Sequence, residues 1–210
     1  MGRIVGSPAI DVVIRELGAE LLDDYLAFFD QDAFADNPGW SHCYCAFFHS
    51  DFPDDESSWS SEGRARNRAF KAQLIRSGKA PGLLAYFGNK VVGWCNAGPR
   101  AGYQNLRHRG EAVEDPTERV GSILCFIIAR AYRGRGVATA LLAAACEKFE
   151  REGFAVIEGY PTARFPELPD DLPMSARNYP GPLSMYLKAG FSVHREIGNW
   201  AVVRKRLGKC

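Results

Sequence analysis

Apolar residues recur along this chain in two rhythms, one of about two residues and one of three to four, and their alternation predicts a mixed domain of strands and helices. Val12, Val13 and Ile14 centre a first strand over Ala9–Leu17. Leu21, Leu22, Tyr25, Leu26, Phe28 and Phe29 give Ala19–Phe34 the broad apolar face of a helix. A second helix is expected from about Ser60 to Ser77, with Ser61 as its cap and Gly78 as its stop. Gly82–Phe87 and Val91–Asn96 flank Gly88-Asn89, the pattern of a hairpin. Val120–Ala129 is almost wholly apolar, as suits a strand covered on both faces. Val137–Glu152 reads as a strong helix through Leu141, Leu142, Ala145, Cys146 and Phe149, and Phe154–Glu158 reads as a strand. A short helix over Leu183–Lys188 stops at Gly190, and strands Phe191–Ile197 and Trp200–Arg206 follow, turned by Gly198-Asn199. Between these elements lie an irregular aromatic segment, Asp36–Trp59, a polar loop, Gly98–Glu118, and a loop with six prolines, Pro161–Pro182. The order implies an α/β or α+β fold around a mixed sheet.

Bulk properties narrow the function classes. A chain of 210 residues without internal repeats is expected to be a single domain, 1–210. A net charge of +1 gives no sign of a nucleic-acid or membrane-surface partner. The longest apolar run, Ile123–Ala129, has strand length, and Met1–Pro8 lacks the apolar core of an export signal, so a cytoplasmic protein is expected, as monomer or homodimer. Six cysteines are scattered at positions 43, 45, 95, 125, 146 and 210, and Cys95, Cys125 and Cys146 read as small buried hydrophobes. No disulfides are expected in a reducing compartment. The run His42-Cys43-Tyr44-Cys45 with His49 lacks the ligand spacing of a structural zinc site, so no metal is expected. The segment Trp40–Phe52 is expected instead to pack on the sheet or to wall an acceptor pocket. An acidic run (Asp51, Asp54, Asp55, Glu56) and a basic one (Arg107-His108-Arg109) leave the charge of any acceptor open.

The most informative stretch is Cys125–Thr139: a buried strand, a short turn with Gly134 and Gly136, and then a long helix. Glycines let the backbone approach a bulky anion, and the first helical turn offers unpaired N–H groups and a positive dipole end. Arg133 and Arg135 add charge beside it. The chemistry suits a diphosphate. It is neither a P-loop, which needs a Gly-Lys-Ser/Thr ending, nor a dinucleotide fingerprint, because Thr139 stands where a third glycine belongs.

Arg133-Gly134-Arg135-Gly136-Val137-Ala138 resembles the acetyl-CoA motif R/Q-x-x-G-x-G/A of the GNAT superfamily of N-acetyltransferases, and Tyr186-Leu187-Lys188-Ala189-Gly190-Phe191 resembles the family's Y-x-K-x-G-F ending. Gly93-Trp94 is similar to the family's third strand. The resemblance implies a mostly antiparallel sheet with splayed fourth and fifth strands and helices on both faces. It implies acetyl-CoA as cosubstrate, with pantetheine along Phe126, Ile127 and Ile128, the Ile128 N–H facing the thioester carbonyl, and the diphosphate on Gly134–Thr139. Asn178 would touch the coenzyme beside Tyr179, which occupies the family's usual Asn position. Tyr186 would be the general acid for the departing thiolate. Glu158, near the end of the fifth strand, is the candidate general base. The expected reaction is acetyl transfer to the primary amine of a small molecule by direct attack in a ternary complex. Alternatives are a lysine or N-terminal acetyltransferase of proteins and a non-catalytic acyl-CoA-binding domain.

Overall fold

A computed structural model describes residues 9–50, 60–109, 118–163 and 178–208. The acidic run at 51–56, Cys210 and most of the proline-rich loop lie outside them. Among the described residues seven strands form one sheet: β1 (Val13–Glu16), β2 (Leu83–Phe87), β3 (Lys90–Pro99), β4 (Val120–Ile128), β5 (Val156–Gly159), β6 (Ser192–Ile197) and β7 (Trp200–Arg206), in the order β1-β2-β3-β4-β5-β7-β6. Every neighbouring pair is antiparallel except β4 with β5.

Among the described residues the α-helices are α1 (Leu22–Gln31), α2 (Ser61–Arg76), α3 (Val137–Arg151) and α4 (Leu183–Lys188). Strand alternation sends Leu84, Tyr86, Trp94, Cys125 and Ile127 into one core with the aromatic face of α1. It sends Leu83, Ala85, Cys95, Ile123 and Phe126 into the other, against Leu141, Ala145 and Phe149 of α3 and Met185 and Tyr186 of α4. Tyr25, Phe29 and Trp94 meet edge-on or stacked at centroid distances of 4.5–6.4 Å, which makes the first core chiefly aromatic.

Boundaries differ from expectation where local chemistry decides them. The first turn expected in α1 is a 3₁₀ turn, Ala19–Leu21, and α1 has no side-chain cap. Ser60, not Ser61, caps α2, accepting from the Gly63 N–H at 3.0 Å. β3 runs on to Pro99, and 3₁₀ turns occupy Arg100–Gly102 and Gln104–Arg109 of the expected polar loop. The described part of the aromatic segment holds two more, Pro38–Trp40 and Phe47–His49.

The sheet opens at its centre. β5 pairs with β4 only over Val120–Ile123 against Val156–Gly159, while β4 continues to Ile128. Beyond Ile123 no strand of the described residues covers that edge of β4.

Candidate active site

The ladder between β3 and β4 decides which peptide groups face the opening. Trp94 is opposite Ile127, and the Ala129 N–H donates to Val92 O at 3.0 Å. In an antiparallel pair these bonds come at every second residue, so the peptide groups of Phe126 and Ile128 point away from β3, into the gap. The Phe126 N–H is met there by the carbonyl of Tyr179 at 2.6 Å. The Ile128 carbonyl accepts from Arg133 Nε at 2.9 Å. That leaves the Ile128 N–H as the main-chain donor turned to the opening.

A cavity of about 610 Å³ begins at this opening. Its floor is Phe126, Ile127 and Ile128, and one end is Arg133, Gly134 and Gly136–Thr139. Asn178, Tyr179, Gly181, Pro182 and Met185 form one side. Ala33, Phe34, Asp36, Asn37 and Trp40 form the other. The phosphate-type end is built by backbone conformation. Gly134 and Gly136 sit at φ +70° and +84°, a region side-chain-bearing residues enter at a cost, and a Cβ on Gly134 would meet open space. Gly136 is the N-cap of α3 and supplies no side-chain cap, so the first N–H groups of the helix are left for another acceptor.

Asn178 Oδ1 is buried with no hydrogen-bond partner, on the wall of the same cavity. An amide oxygen so placed calls for an N–H donor, which a pantetheine chain carries. Uncapped helix N–H groups at one end, an orphan acceptor at the side and the Ile128 N–H on the floor therefore fit an extended ligand with phosphate, amide and thioester groups in that order.

The profile of the Acetyltransferase (GNAT) family matches residues 40–162, more than half of the chain. The chain belongs to the GNAT acetyltransferase family. It is thus an acyltransferase, and acetyl-CoA is the usual cosubstrate of its family. Among solved structures, the GNAT fold recurs in the PaiA N-acetyltransferase from Thermoplasma acidophilum in complex with coenzyme A: 14% identity, TM-score 0.51, 94% of this chain and 99% of that one. A GNAT-family acetyltransferase from Streptococcus pneumoniae gives 16% identity, TM-score 0.52, and 94% and 100% coverage. The polyamine N-acetyltransferase of Drosophila melanogaster gives 12% identity, TM-score 0.54, and 94% and 100%. These likenesses concern the fold. No curated protein matches the sequence.

Of the residues expected at a GNAT site, Phe126, Ile127, Ile128, Arg133, Gly134, Gly136, Val137, Ala138, Thr139 and Asn178 line one cavity. Three others are placed elsewhere. Arg135 is not on the wall; its guanidinium lies 5.9 Å from the centre of the Tyr132 ring. Tyr186 is fully buried, off the cavity wall, and its hydroxyl donates to Pro180 O at 2.8 Å. Its ring packs where a Cβ on Gly159 would stand, 2.3 Å away, so only glycine fits there. Burial pushes its hydroxyl pKa well above the ordinary tyrosine value.

Glu158 is also fully buried and does not face the cleft. Arg100 Nη1 lies 3.0 Å from one carboxylate oxygen, Arg204 2.6 Å from the other, and the Tyr160 hydroxyl donates at 2.8 Å. Two guanidinium groups and a phenol occupy the lone pairs that a general base would use. The placement has a physical reason: β5 directs Glu158 to the sheet face opposite Ile157, where Arg100 and Arg204 converge.

Asp36 had no signal in the sequence. It pairs in bidentate fashion with Arg133, 97 residues away, at 2.5 and 3.0 Å. That hydrogen bond to Arg133, more than any other influence, holds its carboxyl below the ordinary aspartate value. Arg133 thus ties the loop after α1 to the carbonyl of Ile128, and its charge is matched by a carboxylate. Among the described residues no group of three or more His, Cys, Asp or Glu is arranged to hold a metal, and no helix is long and apolar enough to cross a membrane.

Proposed function

We propose that this enzyme transfers an acetyl group from acetyl-CoA to the primary amine of a small molecule, by direct attack with both substrates bound. The observation that carries the reading is the Ile128 N–H, turned into a gap between parted strands and continuous with the uncapped start of α3. A thioester carbonyl beside that donor gains a hydrogen bond as negative charge grows on its oxygen during attack. Arg133 fixes the Ile128 peptide by its bond to the Ile128 carbonyl, and Asp36 fixes Arg133. Gly136–Thr139 N–H groups hold the phosphates, and Asn178 Oδ1 takes an amide N–H of the pantetheine.

In this reading Tyr186 holds the Asn178–Pro182 turn through Pro180 rather than touching the reacting atoms. Proton removal from the amine is left to solvent. Asp36 is the carboxylate of the described cavity wall, and it is engaged by Arg133. A small acceptor is favoured over a protein by Trp40, which stands on the wall and meets Tyr179 at a ring-centroid distance of 6.0 Å.

The test is release of free coenzyme A thiol from acetyl-CoA with a panel of small amines and lysine peptides. Turnover with small amines at a kcat/KM at least tenfold above any peptide supports the proposal. Turnover only with peptides, or calorimetric acetyl-CoA binding without turnover on any amine, overturns it.

A further inference from the structure

Three aromatic rings from distant parts of the chain converge beside the cavity, and the acyl-transfer step described above uses none of them. Trp40 ends the first 3₁₀ turn after α1, Tyr179 lies in the turn before α4, and Trp200 opens β7. Trp40 and Tyr179 both line the cavity, with ring centres 6.0 Å apart, and Tyr179 and Trp200 are 6.2 Å apart. Interplanar angles of 48° and 57° make the three a curved strip rather than a parallel stack. All three are only partly buried, unlike the core rings Tyr25 and Trp94. Each therefore keeps accessible surface at the site.

β4 fixes where the strip stands along the cavity. The Tyr179 carbonyl takes the Phe126 N–H, beyond the last pair of β4 with β5. Ile128 is two residues further on, about 7 Å along the strand, and the start of α3 lies beyond it. Phosphates on α3 and a thioester at Ile128 point the acyl group back towards Tyr179. The attacking amine comes in from the aromatic end.

The rings are held before any ligand arrives. The main chain after Trp40 is tied to α2, because Arg64 Nη1 donates to Ser41 Oγ at 3.1 Å and Asn67 Nδ2 to His42 O at 3.0 Å. The Gly181 N–H donates to Asn178 O at 3.0 Å across the turn that carries Tyr179. The Ala163 N–H donates to Asn199 O at 2.8 Å and the Ala201 N–H to Pro161 O at 2.9 Å, on either side of Trp200. Rigid rings lose little freedom when a guest lies on them.

We propose that Trp40, Tyr179 and Trp200 select an arylalkylamine, whose ring lies on this strip while its primary amine reaches the thioester. The proposal rests on the acyl-transfer reading of the cavity. The amine nitrogen attacks the acetyl carbonyl; the C–N bond forms, the C–S bond breaks, coenzyme A leaves as thiolate and one amine proton passes to solvent. Aromatic faces and edges attract a flat ring beyond the gain from burial alone. A second ammonium group is the competing guest, since cations also sit over rings. Among the described residues of the wall, however, the carboxylate is Asp36, and Arg133 holds it in a bidentate pair. The wall has a surface for a ring and no unpaired carboxylate for a second cation.

The experiment measures kcat/KM of the full-length enzyme for phenethylamine, cyclohexylethylamine and diaminobutane, counting unprotonated amine groups alone. Phenethylamine is expected at least tenfold above both, an effect of ~1.4 kcal/mol. Trp40→Leu removes the ring and keeps an apolar side chain; there the preference over cyclohexylethylamine is expected to fall below threefold. Equal values for the two cyclic amines overturn the proposal and leave acyl transfer to small amines standing. Preference for the diamine also overturns it, by marking a cation site. So does a Trp40→Leu enzyme that keeps the tenfold ratio but binds acetyl-CoA more weakly, which gives the ring to the coenzyme. Absence of turnover with every amine removes the acyl-transfer reading and this one with it. If the variant does not fold, the ratio between the two cyclic amines on the native enzyme decides.

Discussion

The Phe126 N–H and the Tyr179 carbonyl meet at 2.6 Å across the gap where β5 has ended. One residue of the Asn178–Pro182 turn thus takes the place that the next rung of a strand would fill. The opening that remains for a ligand starts at Ile128, so the turn sets how far an extended chain can slide along β4. Whatever holds the turn therefore holds the reacting end of the site.

Tyr186 is the first such holder. Tyr186→Phe removes the hydroxyl bonded to Pro180 and leaves that carbonyl without its buried partner, at a cost of about 1–3 kcal/mol. The expected result is a lower urea midpoint and weaker acetyl-CoA binding, with kcat at saturating coenzyme retained within about threefold, under 1 kcal/mol of barrier. Separate measurement of kcat and coenzyme affinity checks this; a kcat loss of a hundredfold with stability intact would restore Tyr186 as the proton donor.

Glu158→Gln should act on stability. It leaves Arg100 and Arg204 facing an uncharged group in the interior, and breaking a buried ion pair costs about 3–5 kcal/mol. Denaturant unfolding should show that loss, while activity per folded molecule stays near that of the parent. The reverse pattern would mark Glu158 as the base.

Gly136→Ala puts a side chain at φ +84°, which costs about 1–2 kcal/mol for an L residue. The start of α3 should shift, and acetyl-CoA affinity should fall by about tenfold, equivalent to ~1.4 kcal/mol. Titration calorimetry reads this directly.

Asp36 predicts an acid limb. Its folded-state pKa is depressed, so the unfolded chain binds its proton more readily. Its contribution to stability is present above the ordinary aspartate range and is lost as pH falls through the lowered folded value. Asp36→Asn should flatten that limb in thermal melts between about pH 2 and pH 5. It should also lower kcat, because Arg133 loses the carboxylate that fixes it against Ile128.

With proton removal left to solvent, kcat/KM should rise about tenfold per pH unit until the acceptor's own ammonium pKa is reached. A plateau near neutral pH, independent of the amine used, would expose an enzyme base that the described cavity wall does not contain.

How much of this was readable beforehand depended on distance along the chain. The turn Arg133–Thr139 announces itself because glycines, strand and helix are contiguous, and its residues do line the cavity. The alternation in β2 and β3 likewise gave both strands and their turn. The surroundings of Glu158 were not readable, because a carboxylate at a strand end carries no mark of its partners; Arg100 and Arg204 lie 58 and 46 residues away. Asp36 was silent for the same reason. Tyr186 sits in a well-matched motif, yet the preceding Pro180-Gly181-Pro182 brings a carbonyl onto its hydroxyl, and only the folded chain reveals that contact.

The parallel seam between β4 and β5 is just four residue pairs long. On either side of it stand two blocks of the sheet, β1–β4 and β5–β7, stitched internally by antiparallel ladders, the longest of them between β3 and β4. A long guest lying in the notch would touch β4 of the first block and the Asn178–Met185 segment that packs on the second, and act as a splint between them. Amide hydrogen exchange should then slow together across β5, β6 and β7 when acetyl-CoA is added, including at residues far from any contact with it.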